Sequence, residues 1–262
     1  MGYAAPQRVE AQPRVGLPFG LFSVLSLRES GDPHWANGVV WEALSCAPVS
    51  GQTWQDDPDC TTDIEKFFRG SGGLGEARPF TAVGSYQCGT PGGRAFQEGE
   101  ENATADLLAH EQSQVERFLW NNLAAEATDL NPAGALNVAA ALAVLEDWMG
   151  QTYGSLGVIH GSRGAISVAD TRVNATGSRL VTKVGTPVIA GAGYPGTAPG
   201  GAPPAVGETW MFASPALFGY RGQVFTSSAL DRGKNDHYAL AERQYVVGFD
   251  PCGVGAVRMN LA

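Results

Sequence analysis

The run "EGEENATADLLAHEQSQVERFLWNNLAAEATDL", residues 98–130, constrains this chain more than any other stretch. It is the clearest helix in the sequence. Glu98, Glu100, Glu101 and Asp106 load its first turns with negative charge, which suits the positive end of a helix dipole. Leu107, Leu108, Val115, Phe118, Leu119 and Leu123 recur on one face at helical spacing. Asn131-Pro132 is predicted to end it, because the residue before a proline is pushed out of the helical region. A second helix is predicted over about 134–150, with Leu136, Ala140, Val144, Leu145, Trp148 and Met149 as its apolar stripe and Gly150 and Gly154 at its exit.

The flanks of this helical pair have a different texture. Residues 1–35 carry Pro6, Pro13, Pro18 and Pro33 and read as an extended arm, whose apolar part, "LPFGLFSVLSL" (17–27), suits a strand or a strip laid on a neighbour. "GVVWEALSCAPVSG" (38–51) and "PFTAVGSYQCG" (79–89) have strand composition. Between them "RGSGGLGE" is too rich in glycine to hold a packed element, so the pieces suggest a projecting hairpin. After the helices come four strand-like runs, "GVIHGSR", "RLVTKVGTPVIAGAG", "ETWMFASPALFGYRGQVFTS" and "RQYVVGFDPCGVGAVRMNL". "GYPGTAPGGAPPAVG" (193–207) between two of them reads as a loop, with the proline and glycine content of a surface tip. The class is α+β.

Composition bounds the function. A chain of 262 residues with 44% apolar residues is long enough for a substantial core. Charged residues are 16%, well below the usual quarter, which predicts an exterior partly covered by copies of itself. The net charge of −9 offers no basic face for tight nucleic-acid binding. No run reaches the ~20 apolar residues of a membrane-spanning helix, and the N-terminus has no secretory-signal pattern. Cys46, Cys60, Cys88 and Cys252 form no Cys-x-x-Cys pair and read as reduced packing thiols without a zinc site.

The chemical motifs fail one by one. In "GVIHGSRGAIS" the nucleophile elbow needs glycine where His160 stands, and a phosphate-binding loop needs a lysine that is absent. The plain reading is a strand end at His160 followed by a turn into a helix at about 162–170. His110-Glu111 begins a His-Glu-x-x-His motif, but Gln114 occupies the second ligand position, leaving a solvent-facing pair. "LDRGKNDHYALAER" (230–243) gathers Asp231, Lys234, Asp236, His237, Glu242 and Arg243 without a fixed nucleophile, and reads as a charged surface segment leading into a strand. The acidic run in 92–102 lacks the alternating oxygen ligands of a calcium loop. No catalytic residue, cofactor or metal is assigned.

What remains is the order of the parts: arm, hairpin, long helix, mixed half, final strand. In that order the chain resembles a tailed-phage major capsid protein of the Hong Kong 97-like fold. "GTPVIAG" (185–191), "ETWMFASPALFGYRGQVFTSS" and "RGKNDHYALAERQYVVGFDPCGVGAVRMNL", with its Ala241-Glu242-Arg243, are similar to consecutive stretches of that family. The resemblance implies an N-terminal arm (1–35), an extended E-loop region (36–97), a spine helix of the peripheral domain (98–130), an A-domain (131–236) and a strand returning to the peripheral domain (237–262). It implies a non-enzymatic subunit that self-assembles through hexamers and pentamers into the icosahedral shell of a virion, built in the host bacterial cytoplasm. Scaffold, portal and decoration proteins are its implied partners, and packaged double-stranded DNA would meet it only weakly. Some members crosslink a loop lysine to a neighbour's asparagine; Lys66 is the loop lysine here, and Asn235 or Asn260 its counterpart. The rival readings are a phage tail or connector protein, an encapsulin-like compartment shell, and a cytosolic hydrolase using His160, Asp236 and His237.

Overall fold

The computed structural model describes residues 16–29, 33–43, 46, 73–88 and 95–261. In chain order its elements are β1 (Leu27–Arg28), β2 (Val39–Glu42), β3 (Leu74–Ala77), β4 (Pro79–Cys88), α1 (Ala95–Glu126), β5 (Ala127–Asp129) and α2 (Val138–Trp148). Then come β6 (Val158–Ser162), α3 (Arg163–Ser167), β7 (Val173–Thr176), β8 (Arg179–Thr182), β9 (Pro187–Gly191), β10 (Glu208–Ser214), β11 (Leu217–Asp231), β12 (Asp236–Phe249) and β13 (Val254–Asn260). They build a four-stranded sheet ordered β1-β11-β12-β4, a seven-stranded sheet ordered β5-β13-β10-β6-β9-β8-β7, and a two-stranded β2-β3 ribbon.

Length matching governs the four-stranded sheet. The 32 residues of α1 span about 48 Å at ~1.5 Å per residue. The 14 residues of β12 span about 46 Å at ~3.3 Å per residue. The helix therefore lies along a hairpin of its own length. Ala103, Leu107, Val115, Leu119, Trp120 and Leu123 pack into one core with Ala82, Ala239, Ala241, Tyr245 and Val247 of the sheet. The approach is closest at Gly84, where a Cβ would stand 2.2 Å from the Leu107 nitrogen and 2.4 Å from the Ala103 carbonyl oxygen. Past Leu119 the helix reaches the second sheet, where the Trp120 ring stacks on Phe212 at 4.3 Å.

The middle strands of the seven-stranded sheet are buried on both faces, while β7 at its edge is mostly exposed. Along β10, Trp210 and Phe212 face α1 while Met211 and Ala213 join a second core with Leu142, Leu145 and Met149 of α2 and Ile166 of α3. Two buried faces make the strands read as continuous apolar runs rather than alternating ones.

Several sequence expectations shift. The long helix ends at Glu126, not at Asn131-Pro132, because residues 127–129 pair in parallel with Val254–Ala256. Leu108 of its expected face is 53% exposed, while Trp120 is fully buried. The second helix begins at Val138, where the Asn137 side chain accepts the Ala140 N–H at 3.0 Å. Leu136 instead bridges to Met259. The strand expected over 38–51 is described as Val39–Glu42, and its partner in the ribbon is β3. The final run is two strands: β12 lies in the sheet with β4, and β13 pairs with β10. The 193–207 loop is not all surface, since Gly193 and Tyr194 are buried against α1. The apolar strip of the arm is laid on its own chain: Leu21 and Leu25 are in the core, the Phe19 carbonyl accepts the Ala190 N–H, and β1 pairs in parallel with Gly219–Tyr220. Cys46 and Cys252 are not reduced thiols but a disulfide, with Cα atoms 5.4 Å apart. Spacing in sequence gave no sign of a pair 206 residues apart.

Candidate assembly surface

His160 occupies the middle of β6, fully buried. The Ser214 hydroxyl donates to the Pro215 carbonyl at 2.9 Å. Its single proton is thus used, so the 2.8 Å contact between His160 Nε2 and Ser214 Oγ is an N–H donated by the ring. Nδ1 then accepts from the Tyr194 hydroxyl at 2.9 Å. This polarity is the reverse of a base activating a serine. Burial drives the His160 pKa down to about 3, so the ring is neutral at pH 7. Asp236 and His237 lie at the start of β12, in the other sheet, and the structure does not bring them to His160. Among the described residues no group of three or more His, Cys, Asp or Glu could hold a metal ion, and no helix is long and apolar enough to cross a membrane.

Of the two carboxylates that matter, motif reading placed Glu111 in solvent and did not single out Glu116. Glu111, expected to face solvent with His110, is buried: it accepts from Arg243 Nη1 at 3.1 and 2.9 Å and from the Tyr245 hydroxyl at 2.7 Å. Desolvation, with the carboxylate beside it, holds the Tyr245 pKa above its ordinary value. Glu116, fully buried, accepts the Leu21 N–H at 2.9 Å with one oxygen and the Gly193 N–H at 2.8 Å with the other. It joins the Leu21 segment, α1 and the 193 loop at one point. Burial raises its pKa, and the backbone donors oppose that rise.

The same helix closes one edge of the sheet. Gln114 accepts the Val83 N–H at 3.0 Å and donates to the Val83 carbonyl at 2.7 Å, while Asp106 accepts the Ser85 N–H at 3.2 Å. These side chains stand in for the strand that β4 lacks on that side, which blocks edge-to-edge pairing there. The opposite edge is different. β1 covers β11 at Gly219 and Tyr220, and after the bulge between Arg221 and Val224 no described strand pairs with its outer side.

Among the described residues, nothing covers the face of this distal sheet away from α1. Cross-strand rows there are Val83–Glu242–Phe225, Ser85–Leu240–Ser227 and Gln87–Tyr238–Ala229. Phe225 is 69% exposed, Val83 43% and Tyr238 37%. An open groove of about 590 Å³ runs between Ser85, Gln87, Ser227, Ala229, Tyr238 and Leu240. A long ribbon with an open edge and an exposed phenylalanine has the chemistry of a docking surface.

No family model matches the sequence, and no curated protein does. Solved structures match over nearly the whole chain. One is a chain of Mycobacterium phage Che8, at TM-score 0.53 and 10% identity, covering 98% of this chain and 97% of that one. Another is the holo-SrpI encapsulin complex of Synechococcus elongatus PCC 7942, at 0.52 and 11%, covering 99% and 94%. A third is the capsid of a native GTA particle, at 0.52 and 11%, covering 98% and 95%. This chain has the capsid and encapsulin shell fold.

Of the three crosslink candidates, the structure describes two, and they lie at different sheets. Lys66 lies outside the described residues. Asn235 sits with φ +55° in the exposed turn between β11 and β12. Asn260 ends β13 in the other sheet, exposed, with its N–H on the Leu136 carbonyl.

Proposed function

We propose that this chain is the major capsid protein of a tailed phage, a structural subunit without enzymatic role that self-assembles into the icosahedral shell around the genome. The observation that carries the reading is the end-to-end match to shell structures, which for the capsid of the native GTA particle covers 98% of this chain and 95% of that one. The uncovered β11–β12 face supports it, because a lone chain leaves Phe225 and Tyr238 in water where a second copy would bury them. The parts are those of a Hong Kong 97-like subunit: arm (1–35), E-loop region (36–97), spine helix (98–130), A-domain (131–236) and the return (237–262). Strand pairing refines these bounds: β13 pairs with β10, so we assign residues 254–260 to the A-domain sheet and end the return before them, and β11 (217–231) pairs with β12, so we assign it to the peripheral sheet. The foot of the E-loop is the β2–β3 ribbon.

Copies of the chain would meet as hexamers and pentamers, with scaffold, portal and decoration proteins as separate partners. The net charge of −9 keeps contact with packaged DNA weak. The location is the virion capsid, after assembly in the bacterial cytoplasm. A Lys66 amine on a neighbour's Asn235 or Asn260 would give an amide and release ammonia; a covalent ladder on a denaturing gel supports this, and clean monomer bands end it.

Sedimentation of the purified chain tests self-assembly. Species of thousands of kilodaltons support the proposal, and a 27.4 kDa monomer at all concentrations overturns it. The match to the encapsulin complex favours one second reading, a protein-filled compartment shell. A stoichiometric protein cargo inside the particles would move the assignment there.

A further inference from the structure

The Cys46–Cys252 disulfide has a specific place in the architecture. Ala43, just past β2, donates its N–H to the Gly73 carbonyl just before β3, and there the ribbon ends. Cys46 follows three residues later, on the outgoing side of the segment that returns at Gly73. Cys252 sits in the Asp250–Gly253 turn between β12 and β13. That turn already holds the ribbon: Trp41 Nε1–H donates to Asp250 Oδ1 at 3.2 Å, and the Trp41 ring meets Phe218 edge-on at 4.4 Å. Tyr153 steadies the same carboxylate, donating to Oδ2 at 3.2 Å.

Besides the disulfide, the described residues of the hairpin root are held by a four-residue ladder, the Ala43–Gly73 hydrogen bond, the Trp41 contacts to Asp250 and Phe218, and Ala77 buried against Gly248. With it, the root is tied covalently to the core, which removes open conformations from the accessible set. Both cysteines are half-buried rather than sealed in the core. Cys88 does not compete: it stands opposite His237, at the far end of β12, about 40 Å along the strand from the Cys252 turn.

We propose that Cys46 and Cys252 form a redox latch on the hairpin root, open in a reducing cytoplasm and closed by exchange with a low-molecular-weight disulfide of the glutathione class. One cysteine thiolate attacks the external disulfide and releases one thiol. The second cysteine thiolate attacks the resulting mixed disulfide and releases the other. The two cysteines lose two electrons and two protons, and one oxidised glutathione becomes two reduced ones. Coupling to shell assembly rests on the capsid reading: subunits would assemble with the β2–β3 root untied from the Cys252 turn and be fixed once the particle leaves the cell.

The test uses the full chain with Cys60→Ser and Cys88→Ser, which keeps only the pair, beside the wild type with its disulfides mapped by mass spectrometry. Both are equilibrated in reduced and oxidised glutathione buffers, and hydrogen exchange is followed at residues 39–43 and 73–77. The latch predicts about tenfold faster exchange in the reduced buffer, with Cys252→Ser fast in both. Equal exchange in both buffers, or a pair that stays oxidised at a cytosolic glutathione ratio, overturns it. Micrographs of the same samples separate the two readings. Redox-dependent exchange without shells removes the capsid and keeps the latch; shells with redox-independent exchange do the reverse.

Discussion

His160 shows how a residue with catalytic chemistry becomes a structural one. Its neutral ring links Tyr194 and Ser214, and burial holds its pKa near 3 against an ordinary 6.5. A base with a depressed folded pKa contributes stability that is complete above pH 6.5 and lost as pH falls toward 3. The loss is on the order of 5 kcal/mol at the low end. His160→Leu should abolish this acid-linked loss, yet be less stable at pH 7, because the Tyr194 hydroxyl loses its acceptor. Denaturant titrations at several pH values check both signs. Glu116 runs the other way. Its raised pKa makes its contribution fullest below its ordinary 4.5 and smaller as pH rises through the folded value. Glu116→Gln should cost about 1–3 kcal/mol, since the amide can accept from Leu21 or Gly193 but not both. Its stability deficit should be largest at the acid end of the same titrations.

At the scale of elements, the contact of α1 with β4 decides whether the long helix can seat. Gly84→Ala drives a methyl into the helix backbone and should cost at least the ~1–3 kcal/mol of an overpacked core. Gly164→Ala, in α3 with its nearest neighbour atom at 4.0 Å, should be neutral or slightly stabilising. Chemical denaturation of the two variants separates close approach from glycine loss as such. This contact also explains what the sequence made legible. Long elements were readable because their signal is local: the 3.6-residue period of α1 and the apolar runs of β10 and β12 carry their own identity. Glu111 and Glu116 were misread or missed because a carboxylate inside a charged helix looks solvated until Arg243, Tyr245, Leu21 and Gly193 arrive from distant parts of the chain. The end of α1 and the Cys46–Cys252 bond escaped for the same reason: both depend on long-range partners. For the hairpin, removing 66–80 would take β3 and the first two residues of β4, including Phe80 stacked on Phe118. Removing 47–72 and joining the ends with a few glycines should instead keep the cooperative unfolding transition and abolish assembly, as calorimetry and sedimentation would show.

At the scale of the whole molecule, the distribution of apolar surface argues for partners. A low-charge chain with two buried cores still leaves a ribbon face carrying Phe225, Val83 and Tyr238. Phe225→Asp touches neither core, so it should leave stability within about 0.5 kcal/mol of wild type. It should nevertheless prevent higher-order assembly by placing a charge where a neighbour packs. The most direct test of the capsid reading is negative-stain electron microscopy of the purified wild-type chain beside Phe225→Asp. Closed shells tens of nanometres across from wild type, far larger than any single domain, and none from the variant are the predicted result. Rings, tubes or dispersed monomers from wild type would contradict it.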